Sequence, residues 1–242
     1  MLQILSKEFK SFLNSLIAYV VIGVFLVSIG LLAWVFPDTS ILGSGYADMY
    51  PLFSFAPFVF IFLVPAITMR SFAEERKSGT MEMLLTKPLS DWDIILGKFL
   101  AGFFLVLFAL LPTVVYYFSI YSLGNPIGNI DTSGVIGSYI GLILLAAVFC
   151  AVGIFASSIT PNQIVAFVCA AFMCFIFFMG FDSLASLDFF SANALTVKQL
   201  GITYHYDSLS KGLIDSRDVL YFLSVIFLML SITKLNLSSR QW

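Results

Sequence analysis

The sequence predicts an all-α polytopic membrane protein with six transmembrane helices. Three observations predict it. Sixty per cent of the 242 residues are apolar by an AVILMFWYC count, against about 45–50% in a soluble domain even with glycine included. Only 11% are charged, where about 25% is usual, and mean hydropathy is +1.01. Six apolar runs of bilayer-spanning length, 16–36, 51–69, 99–121, 134–156, 164–181 and 219–235, occupy half of the chain. A soluble globule has too little polar surface to cover so much apolar material. A soluble enzyme, a disordered chain and a basic nucleic-acid binder are therefore excluded.

The elements follow in chain order. Residues 1–15 place Leu2, Leu5, Phe9, Phe12, Leu13 and Leu16 on one helical face. Ser6, Lys7, Lys10, Ser11 and Asn14 take the other. This is the pattern of a helix lying in the membrane interface. It serves either as a basic anchor that fixes topology or as a lever joined to a cytoplasmic partner. Span one is too long for a signal-peptide core, and Trp34-Val35-Phe36-Pro37 offers no small-x-small cleavage site. It reads as an uncleaved first helix.

The first five spans contain no Asp, Glu, Lys or Arg, and the sixth only Lys234 near its end, where it can snorkel. One charge at the centre costs roughly 2.5–3.5 kcal/mol on insertion scales, so this exclusion is informative. The runs do not alternate polar and apolar, which disfavours a β-barrel. Span two holds Pro57 and Pro65, with Pro51 at its start, and span three holds Pro112. Interior prolines kink helices and free carbonyls. Span four carries Gly137, Gly141, Ala146, Cys150, Gly153 and Ser157. Small residues at this spacing allow close helix approach, more readily within one bundle than between subunits. Cys150, Cys169 and Cys174 lie inside spans, act as small apolar residues and suggest no disulfide or metal framework.

Lys and Arg in the connections set orientation. With both termini cytoplasmic, nine lie inside and three outside: Lys198, Lys211 and Arg217. The segment 70–98 is then cytoplasmic and 182–218 lies outside. No ionisable residue sits mid-membrane, which argues against an ion-coupled carrier. His205, the single histidine, is expected in a solvated outer loop, and Asp215 and Asp218 are expected to cap span six.

The 70–98 connection is the most informative stretch. Glu74, Glu75, Arg76 and Lys77 form a mixed charge run, and Gly79 is expected to end the helix leaving span two. Thr80 can cap a short helix of about 81–86 that ends before Pro88. Met81, Leu84 and Leu85 on that helix need membrane or a protein groove. Ser90 and Asp93 have the spacing of a capping box for the next helix.

The run Phe72-Ala-Glu-Glu-Arg-Lys-Ser-Gly-Thr-Met-Glu-Met-Leu-Leu-Thr-Lys-Pro-Leu-Ser90, followed by Gly97-Lys98, resembles the segment between spans two and three of ABC-2-type ABC transporter permeases. Lys211-Gly-Leu-Ile-Asp-Ser-Arg-Asp-Val-Leu-Tyr-Phe222 is similar to their entry into span six. Within that family the likeness is greatest to gliding-motility-associated permeases of GldF type. The resemblance covers essentially the whole chain, 1–242, as one permease domain. It implies a multi-pass bacterial inner-membrane protein paired with a second permease subunit, homomeric or heteromeric, and with a cytoplasmic ATP-binding subunit. It also implies a coupling helix, here Thr80 to Thr86, docking on that ATPase. The ATPase-coupling residues would be Glu74, Glu75, Arg76, Lys77, Gly79, Thr80, Met81, Glu82, Leu84 and Leu85. The segment 182–200, with Leu184, Leu187 and Phe190, would dip into the outer leaflet. Gly97-Lys98 lacks the earlier glycine of a P-loop and is followed by Phe99, so ATP and Mg belong to the partner and no cofactor or catalytic residue is expected here. A membrane scaffold that moves no substrate, and an ATP-independent carrier, remain alternatives.

Overall fold

The computed structural model describes residues 1–81, 90–187 and 194–238. Among these the chain is helical. α1 (Leu2–Leu13) precedes the first long helix, α2 (Leu16–Val35). Ser15 caps α2 by accepting from the Ile17 N–H at 3.2 Å. A single turn, α3 (Ile41–Ser44), leads to α4 (Tyr50–Thr68) and α5 (Arg70–Lys77), which together continue span two. α6 (Asp91–Leu123) begins at a capping box in which Ser90 and Asp93 bond reciprocally. α7 (Thr132–Ile159) is capped by Asp131, which accepts from the Gly134 N–H at 3.0 Å. α8 (Gln163–Ala185) is capped by Asn162. α9 (Ala194–Gln199), α10 (Ile202–Ser210) and α11 (Ser216–Ser238) complete the chain.

The helices outrun the apolar runs. The run 99–121 lies inside α6, and 51–69 inside the α4–α5 pair. Hydropathy marks only the part matched to hydrocarbon. Asp91 and Asp93 extend α6 into the interface, where acidic groups suit a helix N-terminus.

α7 is the centre of the bundle. Within its most apolar window 78% is buried, against 61% for α4–α5 and α6, 28% for α11 and 22% for α2 and α8. It packs on α4, α5, α6, α8, α10 and α11. Its glycines make this possible. A Cβ on Gly153 would meet the Thr68 hydroxyl and its Cβ at 2.9 Å, and one on Gly137 would lie 2.6 Å from the Gly212 carbonyl. Gly141 faces Leu209. The small-residue stripe thus faces neighbours in the same chain.

The prolines are accommodated by named partners. Pro57 has no N–H to offer the carbonyl of Phe53, one turn earlier. The buried Tyr206 hydroxyl donates to that carbonyl at 2.7 Å and pins α10 to α4. At Pro112 the helix tightens into a 3₁₀ turn, Leu111–Thr113.

His205 departs from expectation. It lies on helix α10, with Nδ1 2.7 Å from Asp218 Oδ1 and Nε2 2.9 Å from the Gln199 carbonyl. Its ring stacks on Tyr221 at 3.9 Å. It is therefore a packed tie between α9, α10 and α11. Sequence missed it because the three partners lie at irregular spacings. Asp215 does cap, accepting from the Arg217 N–H at 2.9 Å, whereas Asp218 serves His205.

Candidate functional site

The basic end of the bundle gathers α1, α5, the start of α6 and the ends of α7 and α11. Its centre is Lys98. This side chain is 1% exposed, and an ammonium so placed must be fully paired. Its three protons have three acceptors. Glu8 Oε1 of α1 and Glu75 Oε1 of α5 each lie 2.9 Å from Nζ, and the Ser71 carbonyl takes the third. The Phe72 ring centroid lies 5.1 Å from the same ammonium. Lys7 approaches Glu75 from outside at 3.9 Å.

Gly97 explains how α1 reaches this site. A Cβ there would press on Ile4 at 3.1 Å and on the Met1 carbonyl at 3.3 Å. Its absence lets α1 lie flush on α6. Ile4, Glu8 and Phe12, four residues apart, form the face turned inward, and Ile4 and Phe12 are buried. The cavity beside Lys98 is only about 40 Å³. It is too small for an organic ligand, so the arrangement is a joint between helices and not a binding pocket.

Ser157 of α7 forms the second half of the joint. Where α4 gives way to α5, the first N–H groups of α5 need acceptors outside the helix. Ser157 Oγ accepts from Phe72 N–H at 2.9 Å and Ala73 N–H at 3.1 Å, and donates to the Met69 carbonyl at 3.0 Å. Arg70 then clasps Glu74 with two bonds, 2.9 and 3.1 Å, and donates to Ser15 at the α1–α2 elbow. α5 is thus fastened to α1, α2, α6 and α7.

The sequence-named residues divide accordingly. Glu74 is exposed and clasped by Arg70, whereas Glu75 is 13% exposed and held by Lys98. Arg76 is half-buried and Lys77 exposed. Gly79 has φ of +69°, the left-handed conformation that ends a helix and suits glycine. Thr80 turns its hydroxyl back to Ser78 at 2.9 Å and to the Glu75 carbonyl at 3.4 Å. Met81 packs against the core. Glu82, Leu84 and Leu85 lie outside the described residues, as does Phe190. Sequence reading missed Glu8, Lys98 and Ser157 as partners. The available signal was a lysine starting an apolar run, and an acid at i+4 from Ile4 on an otherwise apolar face.

Charge-assisted bonds join α5 to α1, α6 and the α1–α2 elbow, and Ser157 joins it to α7. No curated protein matches the chain. A family model described as ABC-2 family transporter protein matches residues 2–230. That match runs from α1 into α11, through residue 230, and takes in Glu8, Glu75, Lys98 and Ser157. The chain belongs to the ABC-2 transporter family of membrane proteins.

Proposed function

We propose that this permease subunit is the membrane half of an ATP-driven exporter, coupled through the connection between spans two and three to a separate cytoplasmic ATPase. Members of the family work with an ATP-binding subunit. The observation that carries the reading is the anchoring of α5 by Lys98 and Ser157. The helix that leads directly into residues 78–90 is tied to α1, α6 and α7, so a push on that connection reaches spans three and four at once. In this reading the basic end is cytoplasmic, with both termini inside a bacterial inner membrane. The partner closes on ATP, the connection moves with it, and a second permease subunit completes the pathway. The likeness to gliding-motility permeases would place this pump in a motility apparatus.

The test uses the chain co-expressed with its P-loop ATPase. Glu82→Ala and the pair Leu84→Ala and Leu85→Ala should reduce co-purification several-fold and abolish stimulated ATP hydrolysis. Unchanged capture together with unchanged stimulation refutes the coupling reading. Proteoliposomes carrying both subunits separate a pump, which moves substrate, from a scaffold, which does not.

A further inference from the structure

We propose that the cavity between α4, α8 and α10, at the end of the bundle away from Lys98, binds a positively charged ammonium group. It stands whether or not the coupling reading holds.

The cavity measures about 220 Å³. That is below the 300–1,000 Å³ of a drug-sized site and suits a headgroup or a small amine. Four aromatic rings line it: Tyr50 and Phe58 of α4, Phe178 of α8 and Tyr206 of α10. Phe178 stands edge-on to Phe58 at 5.8 Å and to Tyr206 at 6.1 Å. Two of the four, Tyr206 and Phe178, are buried and anchored. The Tyr206 hydroxyl is bound to the Phe53 carbonyl, and Thr203 of α10 donates to the Phe178 carbonyl. Ring faces carry negative potential and attract cations, quaternary ammonium groups above all.

Charge selects the same ligand. Asp182 and Asp207 line the cavity, and among the described residues no Lys, Arg or His does. Lys198 reaches Asp182 at 3.2 Å, but both side chains are about half exposed, and such surface pairs contribute little. Burial holds the Asp207 carboxyl above the usual carboxylate range, with Lys211 opposing the rise and Asp182 adding to it. Both carboxylates sit exposed at the rim of the cavity, where together they attract a cation and repel an anion. The cavity is lined from the start of span two and the end of span five, ends that a spanning helix carries toward the headgroups, so the ammonium is either that of a lipid or that of a free amine.

The experiment titrates the purified full chain, in nanodiscs, with tetramethylammonium chloride, followed calorimetrically. Saturable binding is expected, weakened about tenfold in Asp207→Asn and in Phe178→Leu, in line with one cation–π or charge contact. Asp182→Asn, at the exposed rim, is the second variant should either of these unfold. Nanodiscs of phosphatidylethanolamine and of phosphatidylglycerol distinguish the sources. If the lipid headgroup is the ligand, phosphatidylethanolamine blocks tetramethylammonium and is retained in native mass spectra, less so by Asp207→Asn. If a free amine is the ligand, binding is equal in both lipids. No saturable binding in either lipid, or binding unchanged in all three variants, overturns the proposal.

Discussion

Replacing Lys98 by methionine keeps the length of the side chain and removes its charge. Glu8 and Glu75 then face each other across the emptied position, at 24% and 13% exposure, each having lain 2.9 Å from the same nitrogen. Two unit charges about 6 Å apart at an effective dielectric of about 20 repel by about 3 kcal/mol. Breaking a buried pair from one side generally costs 3–5 kcal/mol, roughly, for the same reason. Lys98→Met should therefore destabilise the chain by about 3–5 kcal/mol, read as a lower midpoint in thermal unfolding of the detergent-solubilised protein. Adding Glu8→Gln and Glu75→Gln removes the repulsion, and the triple variant should recover most of the loss. Its coupling is a separate matter: with the charged joint gone, stimulated ATP hydrolysis should stay low although the fold is restored. A loss below about 1 kcal/mol in the single variant, or a triple variant no more stable than the single, refutes the reasoning.

Other outcomes are expected elsewhere. Gly153→Ala should cost about 2–3 kcal/mol because its methyl group meets Thr68, and Thr68→Ala should relieve part of that cost in the same unfolding assay. Tyr206→Phe should lose about 1–3 kcal/mol by leaving the Phe53 carbonyl bare, and less in a Pro57→Ala background, where a backbone N–H returns; equal losses in the two backgrounds refute the pairing. A cysteine placed at Lys77 should resist impermeant thiol reagents in intact cells and react in inverted vesicles, and the reverse pattern overturns the orientation. Asp207 titrates above the 3.8 of a free carboxyl. Its ionised form favours the cation, so tetramethylammonium affinity should rise as pH climbs through that raised value and fall below it, with a shallower profile in Asp207→Asn, where only Asp182 remains to lose its charge.

The spans were legible in the sequence because a bilayer imposes a length and excludes charge, and both are properties of contiguous residues. The ends of helices were legible where a local rule applies. Ser90 and Asp93 form their capping box within four residues, and Gly79 adopts the left-handed conformation that closes α5. The face of α1 was only half legible: Phe12 stood out in its apolar stripe and is buried, whereas Ile4 and Glu8 turn inward only because of what they pack against.

Sequence alone determined that this chain crosses a membrane six times, which of its connections is basic, and that the 72–98 run resembles a coupling segment. Tertiary structure decided everything that depends on pairs remote in the chain. Lys98 meets an acid 90 residues earlier, Ser157 serves N–H groups 85 and 84 residues before it, and Tyr206 completes a carbonyl 153 residues away. Hydropathy is a sum over neighbours along the chain, but a hydrogen bond or ion pair depends on separation in space. Only the packing of α7 among the other helices sets those separations.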